Sequence, residues 1–265
     1  MEFEDIRYEK RGGIATITID RPKVLNAFRT ETVEEMLAAM RDAEDDRAVG
    51  VIVLAGAGER AFCAGFDLDE VDVITRMGVR EFLEFLETAT GGIQAIRHLP
   101  FPVIAAVHGA ATGGGLALAL AADIRLVSPT AKFSAAFLKV GLSMGELGTS
   151  YNLSRLIGPG RAAEIGYSAR IVGAAEAVAI GLANRVVPTD RLYDEAVALA
   201  RLIAANSPGG VRMSKRAIQR NQEITSYAAA LELENRGQAL LTQTADMPEA
   251  LAAFKEKRAP RFTGK

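Results

Sequence analysis

Alternation opens the chain. Residues 3–20, FEDIRYEKRGGIATITID, alternate polar and apolar positions on both sides of Gly12 and Gly13, which predicts a β-hairpin with a glycine turn and a stop at Pro22. From residue 31 the period changes. Val33, Met36, Leu37 and Met40 recur at helical spacing in ETVEEMLAAMRDAEDD, and the apolar run VGVIVLAG after them reads as a buried strand. Strand, helix and strand in that order predict a crossover unit. The pattern then returns: a helix carrying Phe82, Phe85, Leu86, Ile93 and Ile96 leads to the strand PVIAAV, and a glycine run opens another apolar helix before the strand DIRLVS. Such repetition predicts an α/β protein of ββα-like units stacked as a spiral rather than one flat sheet. RVVP at 185–188 is the last predicted strand, and from Asp190 onward the pattern is helical, broken at Ser207, Pro208 and Pro248. A soft boundary near residue 205 separates a core, 1–205, from a helical C-terminal region, 206–265. No Ser/Gly-rich linker lies between them, so no independently mobile domain is expected.

Composition narrows the classes. The chain has 265 residues, 49% hydrophobic and 24% charged, which is enough for a sizeable core without covalent staples. Its 31 basic and 33 acidic residues are interspersed, which argues against a surface built for nucleic acid or an anionic membrane and leaves any anionic ligand to local groups. The single cysteine, Cys63, excludes an internal disulfide and a multi-cysteine metal site; between Phe62 and Ala64 it reads as a packed side chain rather than a nucleophile. His98 and His108 have no carboxylate pair at ligand spacing beside them, so no metal site is expected; each reads as structural, with proton carriage as the alternative. MEFEDIRYEKRGG lacks the basic and then apolar layout of a secretion signal, and the apolar stretch from Leu116 to Ala122 is too short to cross a bilayer. The expectation is a cytoplasmic protein without membrane insertion.

The candidate chemistry starts at HGAATGGGLALALAADIRL, residues 108–126, where three consecutive glycines head a buried helix. Helix N-termini leave N–H groups unpaired, and glycine lets a ligand atom sit directly against them. Neither G-x-x-x-x-G-K-[ST] nor G-x-G-x-x-G occurs there, which disfavours a phosphate cradle. Close packing of two elements explains small residues equally well. A second stretch, LAGAGERAFCAGFDLDE at 54–70, joins a strand end and a glycine loop to Ala64, Gly65, Phe66 and Asp67.

Together with RPKVLNAF at 21–28, these stretches resemble the crotonase (enoyl-CoA hydratase/isomerase) family. The likeness runs nearly end to end, through ALAADIRLVSPTAKFS, GLANRVVP and the terminal FKEKRAPRF. The resemblance implies a spiral of ββα repeats with a helical C-terminal oligomerisation region that builds homotrimers, often paired into hexamers. It also implies that the N–H groups of Phe66 and Gly114 bind the thioester oxygen of an acyl-CoA. Charge flows onto that oxygen as a bond forms or breaks beside it, and two preoriented dipoles stabilise the enolate. Losing one such donor costs roughly 3 kcal/mol of transition-state stabilisation. Relatives commonly carry alanine where Phe66 stands; because the donor is main chain, the change bears on pocket shape first. By the same resemblance Lys23, Val24, Leu25, Ala64, Gly65, Phe66, Asp67 and Leu68 frame CoA, Gly113 and Gly114 hold the thioester, and Phe254 and Lys257 reach CoA from a neighbouring subunit. CoA enters as part of the substrate, with no separate cofactor. Taken singly, Lys23, Lys255 and Lys257 read as solvated charges, and Asp67 as a helix cap or loop brace.

The acids depart from the family pattern. Family hydratases use two glutamates, and the matching positions here are Ala117 and Phe137. In GLSMGELGTSYNLSRLIG, residues 141–158, Glu146 matches, with a one-residue gap against some relatives, a position where dienoyl-CoA isomerases and 4-chlorobenzoyl-CoA dehalogenases carry a working aspartate. Two readings compete. Leu142, Met144 and Leu147 would desolvate Glu146 and make it a better base, whereas a helix starting near Gly148 would lower its pKa through the helix dipole. Tyr151 offers a hydrogen bond near the acyl chain or a core contact. Met77, Phe82, Leu83, Phe85 and Leu86 either line the acyl tunnel, as in the family, or form the inner face of an amphipathic helix. The expected activity is enolate chemistry on acyl-CoA, isomerase-like because both glutamates are absent. A hydratase with altered acid placement and an acyl-CoA-binding protein without hydratase activity stand as alternatives, in fatty-acid or aromatic-acid breakdown.

Overall fold

In the computed structural model, which describes residues 2–67, 73 and 75–265, β1 (Ile6–Arg11) pairs antiparallel with β2 (Ile14–Ile19) through the Gly12–Gly13 turn. A 3₁₀ turn at Pro22–Val24 ends the hairpin. Next comes α1 (Thr30–Asp45), whose face of Val33, Met36, Ala39, Met40 and Ala43 is buried at the spacing the sequence shows. The chain then repeats a unit of two strands and a helix: β3 (Val51–Gly56), β4 (Ala61–Cys63) and α2 (Val79–His98), then β5 (Val103–Val107), β6 (Ala110–Thr112) and α3 (Gly114–Ala121). A further unit is β7 (Ile124–Val127), β8 (Lys132–Ser134) and α4 (Thr149–Ile157), after which α5 (Pro159–Ser168), β9 (Val172–Gly173), α6 (Ala174–Ala179) and β10 (Arg185–Val186) follow.

Each unit splits its strands between two sheets. The first strands lie in the order β1-β2-β3-β5-β7-β10, and the second strands in the order β4-β6-β8-β9. β3, β5 and β7 run parallel to one another, as do β4, β6 and β8, so successive units stack as turns of a spiral. Periodicity does not reveal β4, β6 or β8, because three residues hold at most one alternation.

The larger sheet is covered on both faces, which is why its strands read as unbroken apolar runs. Ile52 and Leu54 of β3 face a core shared with α1, α2 and α3, while Val51, Val53 and Ala55 face Leu192, Ala196 and Ala200 of α7 (Leu192–Ala204). Helices α8 (Pro208–Asn221), α9 (Tyr227–Leu241) and α10 (Asp246–Glu256) complete the chain. Lys215 pins α8 to the sheet end, its buried Nζ donating to Phe101 O at 3.0 Å and pairing with Asp123 at 2.8 Å. Pro248 does not break a helix as expected. It sits in the first turn of α10, where an N–H has no intrahelical acceptor to lose, and the interruption falls at residues 242–245. Among the described residues no helix is long and apolar enough to cross a membrane.

Candidate active site

The RPKVLNAF segment is folded against the AGFD loop by main-chain bonds. Leu25 and Asn26 both take left-handed backbone, with φ of 58° and 55°. Asparagine tolerates that geometry and carries both a donor and an acceptor. The buried Asn26 side chain accepts the Arg21 N–H at 3.0 Å and donates to Ala57 O at 2.8 Å and Ala61 O at 2.7 Å. Leu25 O accepts the Ala64 N–H at 3.1 Å; the Phe28 N–H donates to Gly65 O at 2.8 Å, and the Asp67 N–H to Phe28 O at 2.9 Å. This bridge uses the N–H groups of Ala64 and Asp67 and the carbonyl of Gly65. Among the described residues the Phe66 N–H meets no acceptor.

The glycine run meets this loop, and its members are glycine for different reasons. Gly113 has φ 53° and ψ −121°, a conformation side chains avoid, yet a methyl there would find nothing nearer than Phe137 Cε1 at 3.9 Å. A methyl on Gly114 would lie 2.6 Å from Phe28 Cζ, and one on Gly115 only 1.9 Å from Cys63 O. Close packing therefore accounts for Gly114 and Gly115, and backbone conformation for Gly113. Gly113 N–H donates to Ser134 O at 3.0 Å, whereas the N–H of Gly114, at the start of α3, has no acceptor among the described residues. The loop abuts the start of α3: a methyl on Gly65, the residue before Phe66, where φ is 107°, would sit 3.0 Å from Thr112 O and 3.3 Å from Gly114 N.

Around the amides the walls are apolar. The half-buried Phe66 ring lies between Phe28, at 4.5 Å between centroids, and Phe85, at 5.4 Å, with Phe82 stacked 6.3 Å beyond Phe85. Met77 and Leu86 are also half-buried, while Leu83 is 54% exposed. Cys63 is fully buried, and desolvation pushes its thiol up to about 12, which leaves it protonated and inert at neutral pH.

Glu146 approaches from the turn before α4. Leu147 and Gly148 take φ of 51° and 74° in succession, reversing the chain so that Leu147 is buried with its Cδ1 3.4 Å from a methyl placed on Gly114. Left-handed backbone at a leucine is strained and persists where packing enforces it. The Glu146 carboxyl is half-buried, and desolvation raises its pKa above the ordinary value. The flanking residues do not all act as expected. Leu147 is buried and Met144 packs on Gly166 of α5, but Leu142 is 42% exposed. Ala117 and Phe137 are buried in the core.

A family model for enoyl-CoA hydratase/isomerase matches residues 9–265. The chain belongs to that family. It is 38% identical to the short-chain-enoyl-CoA hydratase of Clostridium acetobutylicum over 97% of each chain, and 36% identical to the crotonyl-CoA hydratase of Syntrophomonas wolfei over 100% of each. The crystal structure of enoyl-CoA hydratase from Bacillus anthracis superposes with a TM-score of 0.94 at 33% identity, covering 99% of this chain and 100% of that one. The fold is the crotonase fold, and the protein is an enzyme of the enoyl-CoA hydratase type.

Within this enoyl-CoA hydratase/isomerase fold, the remaining expected residues are dispersed. Lys23 and Val24 are exposed on the 3₁₀ turn beside the AGFD loop, and Leu68 lies outside the described residues. Phe254 is 85% exposed on α10, and Lys257 closes that helix with φ 54°. Tyr151 is half-buried; its hydroxyl donates to Glu223 at 2.9 Å and Arg155 stacks on its ring at 3.4 Å from the centroid. His108 is buried and desolvation lowers its pKa, while His98 is exposed. Among the described residues no acid, histidine or cysteine cluster of metal-binding size occurs. A groove of about 1360 Å3 lined by Arg97, Asp123, Lys215, Arg236 and Leu240 lies between the sheet end and helices α8 and α9, and holds none of the expected catalytic residues. Sequence reasoning passed over Arg21 and Asn26, although both are polar residues set among apolar ones in RPKVLNAF. Arg21 pairs with Asp67 at 2.7 Å and Asp5 at 3.2 Å.

Proposed function

We propose that the protein transforms acyl-CoA thioesters through an enolate whose oxygen is held by the Phe66 and Gly114 amides, with Glu146 moving a proton at the adjacent carbons. The observation that carries this reading is the pair of main-chain donors without acceptors, one of them at a helix start. Such donors are already oriented before charge develops, so they stabilise the enolate more than the ground-state carbonyl. CoA would lie along residues 23–25 and 64–68, with Phe254 and Lys257 supplied by a neighbouring subunit. Exposed Leu202, Ile218, Tyr227 and Leu240 support assembly of the C-terminal helices into a trimer or hexamer.

One desolvated carboxylate, with Ala117 and Phe137 at the positions of the usual glutamates, favours double-bond migration: Glu146 removes a proton at one carbon and returns it at another. A second reading is hydration, in which Glu146 activates water; the names of the Clostridium and Syntrophomonas relatives favour it. The test is incubation of the pure protein with trans-3-hexenoyl-CoA and trans-2-butenoyl-CoA, followed by ultraviolet absorbance and product mass. Migration creates a conjugated enoyl chromophore at constant mass, and hydration removes that chromophore while adding one water. Tight binding with neither product would leave an acyl-CoA-binding protein and overturn both readings.

A further inference from the structure

The Phe66 amide does not stand alone; it ends a chain of hydrogen bonds that starts at a half-buried cation. Arg21 Nη1 donates to Ala27 O at 2.5 Å. The N–H at the other end of that same peptide group, on Phe28, donates to Gly65 O at 2.8 Å. The N–H at the far end of the Gly65 peptide group belongs to Phe66. Both peptide groups are trans, as no cis peptide occurs among the described residues, so in each the C=O and N–H point in opposite directions, and the two peptides form a single line from the guanidinium to the open amide.

We propose that Arg21 is a positioning residue that holds and polarises the Phe66 donor through these two peptide groups. The inference rests on the reading of Phe66 and Gly114 as the thioester donors. Two physical effects support it. Gly65 has the most permissive backbone of any residue, so the loop cannot fix the Phe66 N–H direction by its own torsions; the bond from Phe28 to Gly65 O fixes it from outside. A charged donor at the head of a hydrogen-bonded series also draws electron density along it, leaving the last N–H a stronger donor than an isolated amide. The guanidinium is well placed for this, because its side chain is only 15% exposed and is anchored by Asp67 at 2.7 Å and Asp5 at 3.2 Å. Asp5 is in turn tied to α1, by Arg29 at 2.8 Å and by Glu35, which accepts the Asp5 N–H at 2.8 Å. Asp67 neutralises the cation without lying in the series.

The experiment uses butanoyl-CoA labelled with carbon-13 at the thioester carbonyl and records the infrared stretch of that carbonyl when bound to wild type, Arg21→Met, Arg21→Lys and Asp5→Asn. Thermal melting of each variant and kcat and KM on the substrate found above are measured alongside. In wild type the stretch is expected to move to lower frequency on binding. Arg21→Met is expected to lose half or more of that movement and on the order of 10- to 100-fold in kcat, with Kd for butanoyl-CoA within about threefold. Arg21→Lys, which keeps the charge, is expected to fall between, and Asp5→Asn, which removes a counterion of Arg21 outside the series, to keep the movement. A folded Arg21→Met that retains the full movement overturns the proposal, as does an equal loss in Arg21→Met and Asp5→Asn, which is the signature of a merely structural ion pair. Should Arg21→Met not fold, Arg21→Lys against Asp5→Asn decides by the same criterion. Wild type without any movement removes the donor-pair reading itself, and the relay with it.

Discussion

The loop around Gly65 and the turn around Glu146 both reach the start of α3, and they are held by opposite means. The loop is fixed by bonds to its main chain, from Leu25, Phe28 and Thr112, the last donating to Ala64 O at 2.9 Å. Its chemical group is an amide, which every residue type except proline supplies. The turn has a local bond, from Thr149 N–H to Glu146 O at 2.9 Å, and is held further by packing of Met144 and the strained Leu147; its chemical group is a side chain for which no hydrogen-bond or ion-pair partner occurs among the described residues. Under the proposed reading the first arrangement tolerates sequence change at residue 66 and the second does not tolerate it at residue 146. This contrast accounts for a chain that keeps AGFD and GGG while, under the proposed reading, its acid has moved.

The largest expected effect separates the two regions directly. Glu146→Gln keeps the shape of the turn and removes the base, so kcat should fall by roughly 10²- to 10⁴-fold with CoA affinity within about threefold. Phe66→Ala keeps the donor and removes a ring packed between Phe28 and Phe85, so kcat should fall by less than about 10-fold while preference among acyl chain lengths shifts. Steady-state kinetics on acyl-CoAs of graded length reads both. Equal losses in kcat would break the comparison, since the side chain of residue 66 would then matter as much as the acid.

Next in size are the glycines. In Gly115→Ala the methyl meets Cys63 O at 1.9 Å, a backbone atom that cannot swing aside, and α3 must shift away from β4. Thermal or denaturant unfolding should show a loss of about 3 kcal/mol or a failure to fold. Gly113→Ala meets no neighbour closer than 3.9 Å and is opposed only by its backbone angles, for about 1–3 kcal/mol. A milder effect at Gly115 than at Gly113 would mean that helix packing is looser than the contacts indicate.

The same division governs what the sequence revealed. The hairpin and α1 follow from periodicity, the buried strands of the larger sheet from unbroken apolar runs, and the start of α3 from the glycine run. The three-residue strands of the smaller sheet do not, and Pro248 misleads because proline stops a helix interior but suits its first turn. At the site, the glycine run and AGFD announce a close backbone approach. What sequence could not show is that Arg21, forty-six residues from Asp67, would pair with it, or that Leu147 would turn under Gly114. Those contacts depend on the spiral bringing separate turns together.

The smallest expected effect tests the strained side of the comparison. Burial raises the Glu146 pKa above its ordinary value of 4.5, so the folded protein holds a proton that the unfolded chain releases once the pH passes 4.5. Between 4.5 and the raised folded pKa the unfolded state therefore binds fewer protons, and stability falls as pH rises through that window. Below it both states are protonated and the contribution is absent. Glutamine carries no such proton, so Glu146→Gln should melt slightly above wild type at pH 8, and the difference should close as the pH falls toward 4. The rate has the opposite slope: wild-type kcat should rise with pH through an acid limb lying above 4.5, because only the carboxylate accepts a proton. Melting curves that stay parallel across the whole range would place the Glu146 carboxyl in water, and would return the turn to the role of a plain helix start.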